Sequence, residues 1–143
     1  MRHAAGDGAR LDRQSILRRE VPPWMWFILD EAVLYRPVGG RLVMREQLEH
    51  LLDLGRLPRV RIQVLPFSSA EPATIGSSFT VLSLPDGREV AYEEGVTFGR
   101  LFEDTGEVLR RTVVYDRLQA DALSPVASAR LVRAAIEERY PCT

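Results

Sequence analysis

The feature that most constrains the fold is a change of hydrophobic period between residues 24 and 65. Trp24 to Leu29 is an unbroken run of six large apolar residues that stops at Asp30 and Glu31. Its length and aromatic content predict a strand buried on both faces rather than a helix. Met44, Leu48, Leu51 and Leu52 then recur at helical spacing, with Arg45, Glu46, Glu49 and Asp53 on the opposite side and Gly55 as terminator. After Pro58 the pattern switches again, as Val60, Ile62 and Val64 alternate with Arg61 and Gln63 up to Leu65, Pro66 and Phe67. Strand, helix and strand at this spacing form a parallel crossover unit, which is right-handed in nearly all proteins.

The flanking segments fill in the rest. Residues 1–9 read as a flexible lead-in and residues 10–143 as one domain. Leu11, Gln14, Ile16 and Leu17 support a short helix that Pro22 and Pro23 stop. Glu31 to Tyr35 form a brief helix before the loop Arg36, Pro37, Val38, Gly39, Gly40. A loop from Ser68 to Ser78, containing Gly76, has the length of a lid or binding loop. Phe79 to Leu84 and Glu89 to Tyr92 flank Pro85, Asp86, Gly87 and Arg88 as a hairpin. Asp104 with Glu107 has the form of a capping box for a helix to about Asp121, with Val108, Thr112, Tyr115, Leu118 and Ala122 inward. Ser124 and Pro125 start the last helix, which turns Leu131, Val132, Ala135 and Ile136 to one side. The class is α/β (α+β): a small mixed β-sheet with one βαβ unit and a hairpin, covered by helices, two of them C-terminal.

Charge and chemistry narrow the function. With 19 basic and 20 acidic residues the net charge is -1, whereas nucleic-acid binding needs a basic surplus for phosphate contacts, so no direct nucleic-acid contact is expected. Cys142 is the only cysteine, which excludes an intramolecular disulfide and a cysteine metal cluster and suits a reducing cytoplasm. The longest apolar run, Val21 to Leu29, contains two prolines and is too short to span a bilayer, so no membrane partner is expected. There is no phosphate-binding glycine loop, dinucleotide fingerprint or paired-histidine zinc motif, so no cofactor or metal is expected. His3 lies in the lead-in and His50 within a helix, neither beside a serine or cysteine that would make a nucleophile.

Carboxylates and aromatics at strand ends remain, because ligands of open α/β sheets gather at the carboxyl ends of strands. Asp30 and Glu31 hold that position after the first strand, and Glu93 and Glu94 follow Tyr92 at the hairpin exit. Such acids also cap helices or face solvent. Buried beside Trp24, Trp26 or Phe98, one of them would have a raised pKa and could act as a general acid, which makes Glu31 and Glu94 the two catalytic candidates. Trp24 and Trp26 share one face of a regular strand and could line a pocket for a flat or polycyclic molecule, or pack in the core. Arg36 could receive an anionic group or pair with Asp30 or Glu31. Trp24, Trp26, Asp30, Arg36, Tyr92, Glu93 and Phe98 are therefore the ligand-binding candidates.

A pattern of short motifs crosses the whole chain. It comprises Asp30-Glu31-Ala32-Val33-Leu34, Arg36-Pro37-Val38-Gly39-Gly40 and Val43-Met44-Arg45-Glu46-Gln47-Leu48 with His50, Leu51 and Leu52. Val60, Val64-Leu65-Pro66-Phe67, Phe79, Pro85-Asp86-Gly87, Tyr92, Glu94-Gly95 and Glu103-Asp104 continue it. Tyr115-Asp116-Arg117-Leu118 and Ala122-Leu123-Ser124-Pro125 complete it. From about Arg10 to Tyr140 the chain resembles the C-terminal domain of unknown function in actinobacterial XRE-family helix-turn-helix regulators. The resemblance implies a domain that receives a ligand or partner and passes the signal to an N-terminal DNA-binding bundle, some members working beside a small partner protein. It carries no catalytic residues over. Three departures stand out: this sequence begins after the place of the bundle and linking segment, it has Trp24 and Trp26 where aliphatic residues are usual, and it has Glu93, Phe98 and Arg100 where smaller ones are.

Three readings follow. One is an effector domain that binds a small apolar or polycyclic molecule or a regulatory partner protein. Another is a stand-alone, cofactor-free cyclase or isomerase of natural-product biosynthesis, which needs only an apolar cavity and one or two acids. The third is an interaction module that forms a homodimer through its last two helices. An enclosed pocket with a tryptophan and a carboxylate would favour the enzyme, and a filled interior under an exposed apolar face would favour the interaction module.

Overall fold

The computed structural model describes residues 14–69 and 77–141. The lead-in with His3, Leu11 of the short helix, Gly76 of the long loop and Cys142 lie outside the described residues.

The crossover unit forms as its periods predict. A 3-10 helix, Gln14–Arg18, and the prolines 22 and 23 lead into β1, Met25–Asp30. The chain returns through a 3-10 helix, Glu31–Leu34, and helix α1, Arg41–Leu54, to β2, Val60–Leu65. Gly39 and Gly40 take φ values of 77° and 97°, which L side chains avoid, so the chain can reverse into α1 without strain. β1 and β2 pair in parallel, from Met25 opposite Val60 to Asp30 opposite Leu65.

The second half is a separate antiparallel sheet. β3, Ser77–Ser83, pairs with β4, Glu89–Gly95, which pairs with β5, Gly99–Phe102. The strands thus form a parallel two-stranded and an antiparallel three-stranded sheet, and with the helices the chain is mixed α/β, as the sequence predicts. β5 was not anticipated, since four residues give too little alternation to register. Helix α2, Thr105–Asp121, starts where Asp104 accepts the Glu107 N–H at 3.1 Å. The capping box is only half formed, because the Glu107 carboxylate turns to Arg110 and Arg111. Helix α3, Pro125–Arg139, begins with Ser124 accepting the Ala127 N–H at 3.2 Å.

Two apolar clusters hold these layers. Leu34, Met44, Leu48, Val64, Val132, Ala135, Ile136 and Tyr140 pack between α1, α3 and β2. Leu34, Leu48 and Val64 are fully buried, and each such side chain stabilises the fold by roughly 1.5–3 kcal/mol. The Tyr140 hydroxyl donates to the Leu34 carbonyl at 2.9 Å inside this cluster. A smaller cluster of Ala91, Phe102 and Val108, with Val81 against it, joins α2 to the antiparallel sheet.

The outer edge of β2 is closed by the junction of α2 and α3. The Val64 N–H donates to the Ser128 hydroxyl at 2.8 Å, and the Leu123 N–H donates to the Val64 carbonyl at 2.9 Å. The Gln63 amide donates to the Leu123 carbonyl at 2.9 Å. Among the described residues β1 receives no equivalent cover. Trp24 is 59% exposed, Trp26 47% and Phe27 45%, which corrects the expectation of a strand buried on both faces. The cause is topological: β1 lies outside β2, whose Val64 the helices cover, and among the described residues no strand pairs with its far side. Among the described residues no helix is long and apolar enough to cross a membrane.

Candidate functional site

The exposed end of β1 is organised by an arginine from β2's approach. The Arg59 guanidinium donates to the Pro22 carbonyl at 2.9 Å and lies 5.3 Å from the centre of the Trp24 ring. The Trp24 and Trp26 rings stack at 6.5 Å with 26° between their planes. A cation over one indole and a second indole beside it favour one orientation for the pair, so two large amphipathic surfaces face water with restricted freedom. Arg59 also borders a groove of about 250 Å³ formed by Leu17, Pro22, Pro23, Leu57, Pro58 and Val60.

The backbone of β1 extends this surface. Met25 donates its N–H to Arg59 on the β2 side at 2.8 Å. Strand alternation then directs Phe27 and Leu29 to β2 as well and leaves the N–H and C=O groups of Trp26 and Ile28 on the open edge. Trp26, Ile28 and Asp30 share a sheet face with Arg61, Gln63 and Leu65, their register partners.

The acidic candidates are dispersed among structural roles. Asp30 accepts the Ala32 N–H at 2.7 Å and so caps the 3-10 helix behind β1. The Glu31 carboxylate accepts the Phe67 N–H at 2.7 Å and the Tyr35 hydroxyl at 3.2 Å, fastening the exit of β2 to the exit of β1. Tyr35 stacks on Phe67 at 5.9 Å with Arg139 over its other side. Burial, then the bond to Glu31, pushes the Tyr35 pKa above its ordinary value. Arg36 is exposed and makes no ion pair among the described residues.

Glu93 is the half-buried acceptor of Arg111, at 2.8 Å. The same guanidinium reaches Glu107 at 3.1 Å and lies on the Phe102 ring, 3.3 Å from its centre, with Arg100 over Phe102 at 4.8 Å. Glu94 is exposed on β4, opposite Ser78 and Gly99. Tyr92 lies against Gly99 and Phe98 against Gly95, where any Cβ would collide with the rings. Glu31 therefore lies in the 3-10 helix after β1 and Glu94 on the antiparallel sheet, and among the described residues no carboxylate lines the 250 Å³ groove or the hollow of about 100 Å³ between Leu51, Ile62, Ser128 and Val132.

Of the nine candidates, the structure unites Trp24 and Trp26 in one surface with Asp30 at the far end of the same strand. Tyr92, Glu93, Glu94 and Phe98 belong to the antiparallel sheet and its turn, and Arg36 to the loop before α1. Sequence reasoning missed Arg59, Arg111 and Ser128. Only Arg59 gave a local hint, as a cation at the mouth of a strand; the other two act through contacts distant in sequence. Tyr115 was read as inward-facing, and its hydroxyl is buried with no hydrogen-bond partner among the described residues. His50 is exposed on α1, and no group of metal-binding side chains occurs among the described residues.

Residues 8–134 match the family described as Domain of unknown function (DUF5753). No curated protein and no solved structure matches the chain.

Proposed function

Because the chain belongs to the DUF5753 family, we propose that it is a protein-binding effector domain of the kind found in actinobacterial XRE-family regulators, acting through partner contact and without touching DNA itself. The observation that carries this reading is the stacked, exposed Trp24–Trp26 pair under Arg59, on a strand edge that no strand among the described residues pairs with. Tryptophan and arginine dominate the energetic centres of protein interfaces, and contiguous exposed apolar patches mark such sites. The residue pattern from Asp30 to Pro125 supplies the link to the regulators, and the net charge of -1 supports contact with protein rather than nucleic acid. A cytoplasmic setting belongs to the same proposal and rests on the solitary cysteine.

Protein binding is favoured over the small-molecule and enzyme readings by the geometry of the hollows. Drug-sized ligands occupy pockets of roughly 300–1,000 Å³, above the 250 Å³ and 100 Å³ of the two grooves. An acid catalyst needs a carboxylate in a dry cavity, whereas Glu31 is occupied by Phe67 and Tyr35 and Glu94 faces water.

The test is a photo-reactive benzophenone amino acid placed at position 26 and irradiated in the cells that express the chain. A covalent protein adduct is expected, absent when the label is moved to exposed Glu94. Failure to label any protein from position 26, with a small molecule retained in native mass spectrometry, would overturn the reading.

A further inference from the structure

The two edges of the parallel pair differ in kind, and the difference identifies an occupant for the open one. At β2 the Val64 N–H donates to the Ser128 hydroxyl, the Leu123 N–H donates to the Val64 carbonyl and the Gln63 amide donates to the Leu123 carbonyl, which closes the outer side. Within β1 itself the usual protections are missing, since Met25–Asp30 contains no proline, no basic residue and no bulge, and no strand among the described residues pairs with its outer side. Two parallel strands alone are fewer than a sheet ordinarily needs, and parallel sheets are normally covered on both faces. Resting on the protein-binding reading above, we infer that the open edge of β1 pairs antiparallel with β1 of a second copy of this chain, giving a four-stranded sheet in the order β2, β1, β1, β2.

Charge supports a second copy. At the start of the pair Arg59 and Arg61 donate only to the carbonyls of Pro22, Pro58 and Val60. At the end of β1 Asp30 and Glu31 accept from Ala32, Phe67 and Tyr35. Among the described residues none of these four makes an ion pair, although seven such contacts form elsewhere. The β1–β2 pair therefore carries cations without an ion pair at one end, at the start of β2, and carboxylates without one at the other, at the end of β1, among the described residues. A closed two-fold dimer through one edge must run antiparallel, which sets the basic end of each copy against the acidic end of the other. With Ile28 on the axis, Trp26 stands opposite Asp30 of the second copy, and Arg61 is its neighbour on the same face.

Ile28 offers a selective test, because its N–H points away from β2. Ile28→Pro removes a donor from the open edge while sparing the β1–β2 ladder. Trp26→Glu, at a position already half exposed, sets a carboxylate opposite Asp30 of the second copy and guards against misfolding of the proline variant. Sedimentation equilibrium of the purified chain is expected to give twice the chain mass, with self-association weakened at least about tenfold in both variants and unchanged far-ultraviolet circular dichroism. If Ile28→Pro loses its circular dichroism, Trp26→Glu alone decides. A dimer that persists in the folded variants places the contact elsewhere, for example on the last two helices, and overturns the inference. A monomeric parent chain overturns it too; in that case a protein adduct from position 26 would leave the protein-binding reading standing, and the lack of one would remove both.

Discussion

On the β2 side of the parallel pair, the outward groups of Val64 meet the Ser128 hydroxyl and the Leu123 N–H, and the side chain sinks into a cluster with Leu34, Leu48 and Ile136. On the β1 side, Trp26 and Phe27 are nearly half exposed and among the described residues no strand pairs with the outer edge. The antiparallel sheet offers a third case: its edge strand β3 presents Ser78 and Thr80 to solvent, and its other edge, β5, is four residues long and carries Arg100. Short or charged edges resist pairing, which applies to β5 and not to the seven residues of β3. Among the described strands, β2 is covered and β5 is short and charged, whereas β3 and β1 both stand at open edges; β1 differs in presenting the stacked Trp24 and Trp26 beside Arg59.

The contrast can be broken by substitution. Leu48→Ala empties a fully buried position in the helix-covered cluster and is expected to cost about 3 kcal/mol, within the usual span for such truncations. Urea denaturation measures it, and a cost below that of Trp26→Ala would contradict the division between a packed and a presented side. Ser128→Ala strands the buried Val64 N–H and should cost roughly 1–3 kcal/mol. A neutral result would mean that water replaces the hydroxyl and that the β2 edge is less firmly closed than its geometry implies.

The acids sharpen the comparison at smaller scale. Glu31→Gln weakens a charge-assisted bond to Phe67 and should lose about 1 kcal/mol, while Glu94→Gln, exposed on β4, should stay within about 0.5 kcal/mol. Thermal melts of the two variants side by side test whether Glu31 is a clasp between strand ends.

Tyr115 gives a pH-dependent check on the antiparallel half. Burial, with Asp116 nearby, raises its pKa above the ordinary value. The folded state therefore holds this proton more tightly than the unfolded chain. Its contribution to stability is complete below the unfolded pKa of about 10 and is lost as pH rises through the folded one. The urea midpoint is expected to fall above that pH in the parent chain and to fall less in Tyr115→Phe. Trp26→Ala, at a position 47% exposed, is expected to cost less than Leu48→Ala, about 1 kcal/mol for the isolated chain.

What was legible in the sequence was what is decided locally. The helical spacing of Met44 and Leu48, the alternation of Val60 to Val64, the Asp104 cap and the Ser124–Pro125 start are each settled within a few residues, and each stands in the fold. The run from Trp24 to Leu29 correctly signalled a strand, but an apolar run has the same appearance whether protein or water lies beyond it. Its exposure depends on which strand lies outside, which is set by topology. Glu93 read as a strand-end acid because its partner, Arg111, arrives from a helix one sheet layer away. The pairing of Trp24 with Trp26 was visible, since side chains two apart on a strand share a face; Arg59 above them was not, since it is brought there from the far end of the crossover.

Amide hydrogen exchange followed residue by residue as the protein concentration is raised tests the open edge most directly. Phe27 and Leu29, which donate to β2, should be protected at every concentration. Trp26 and Ile28, which face outward, should exchange rapidly when dilute and become protected as the chains associate. Rapid exchange at Trp26 and Ile28 at all concentrations, or protection already complete in the dilute monomer, would contradict an edge held open for a second copy.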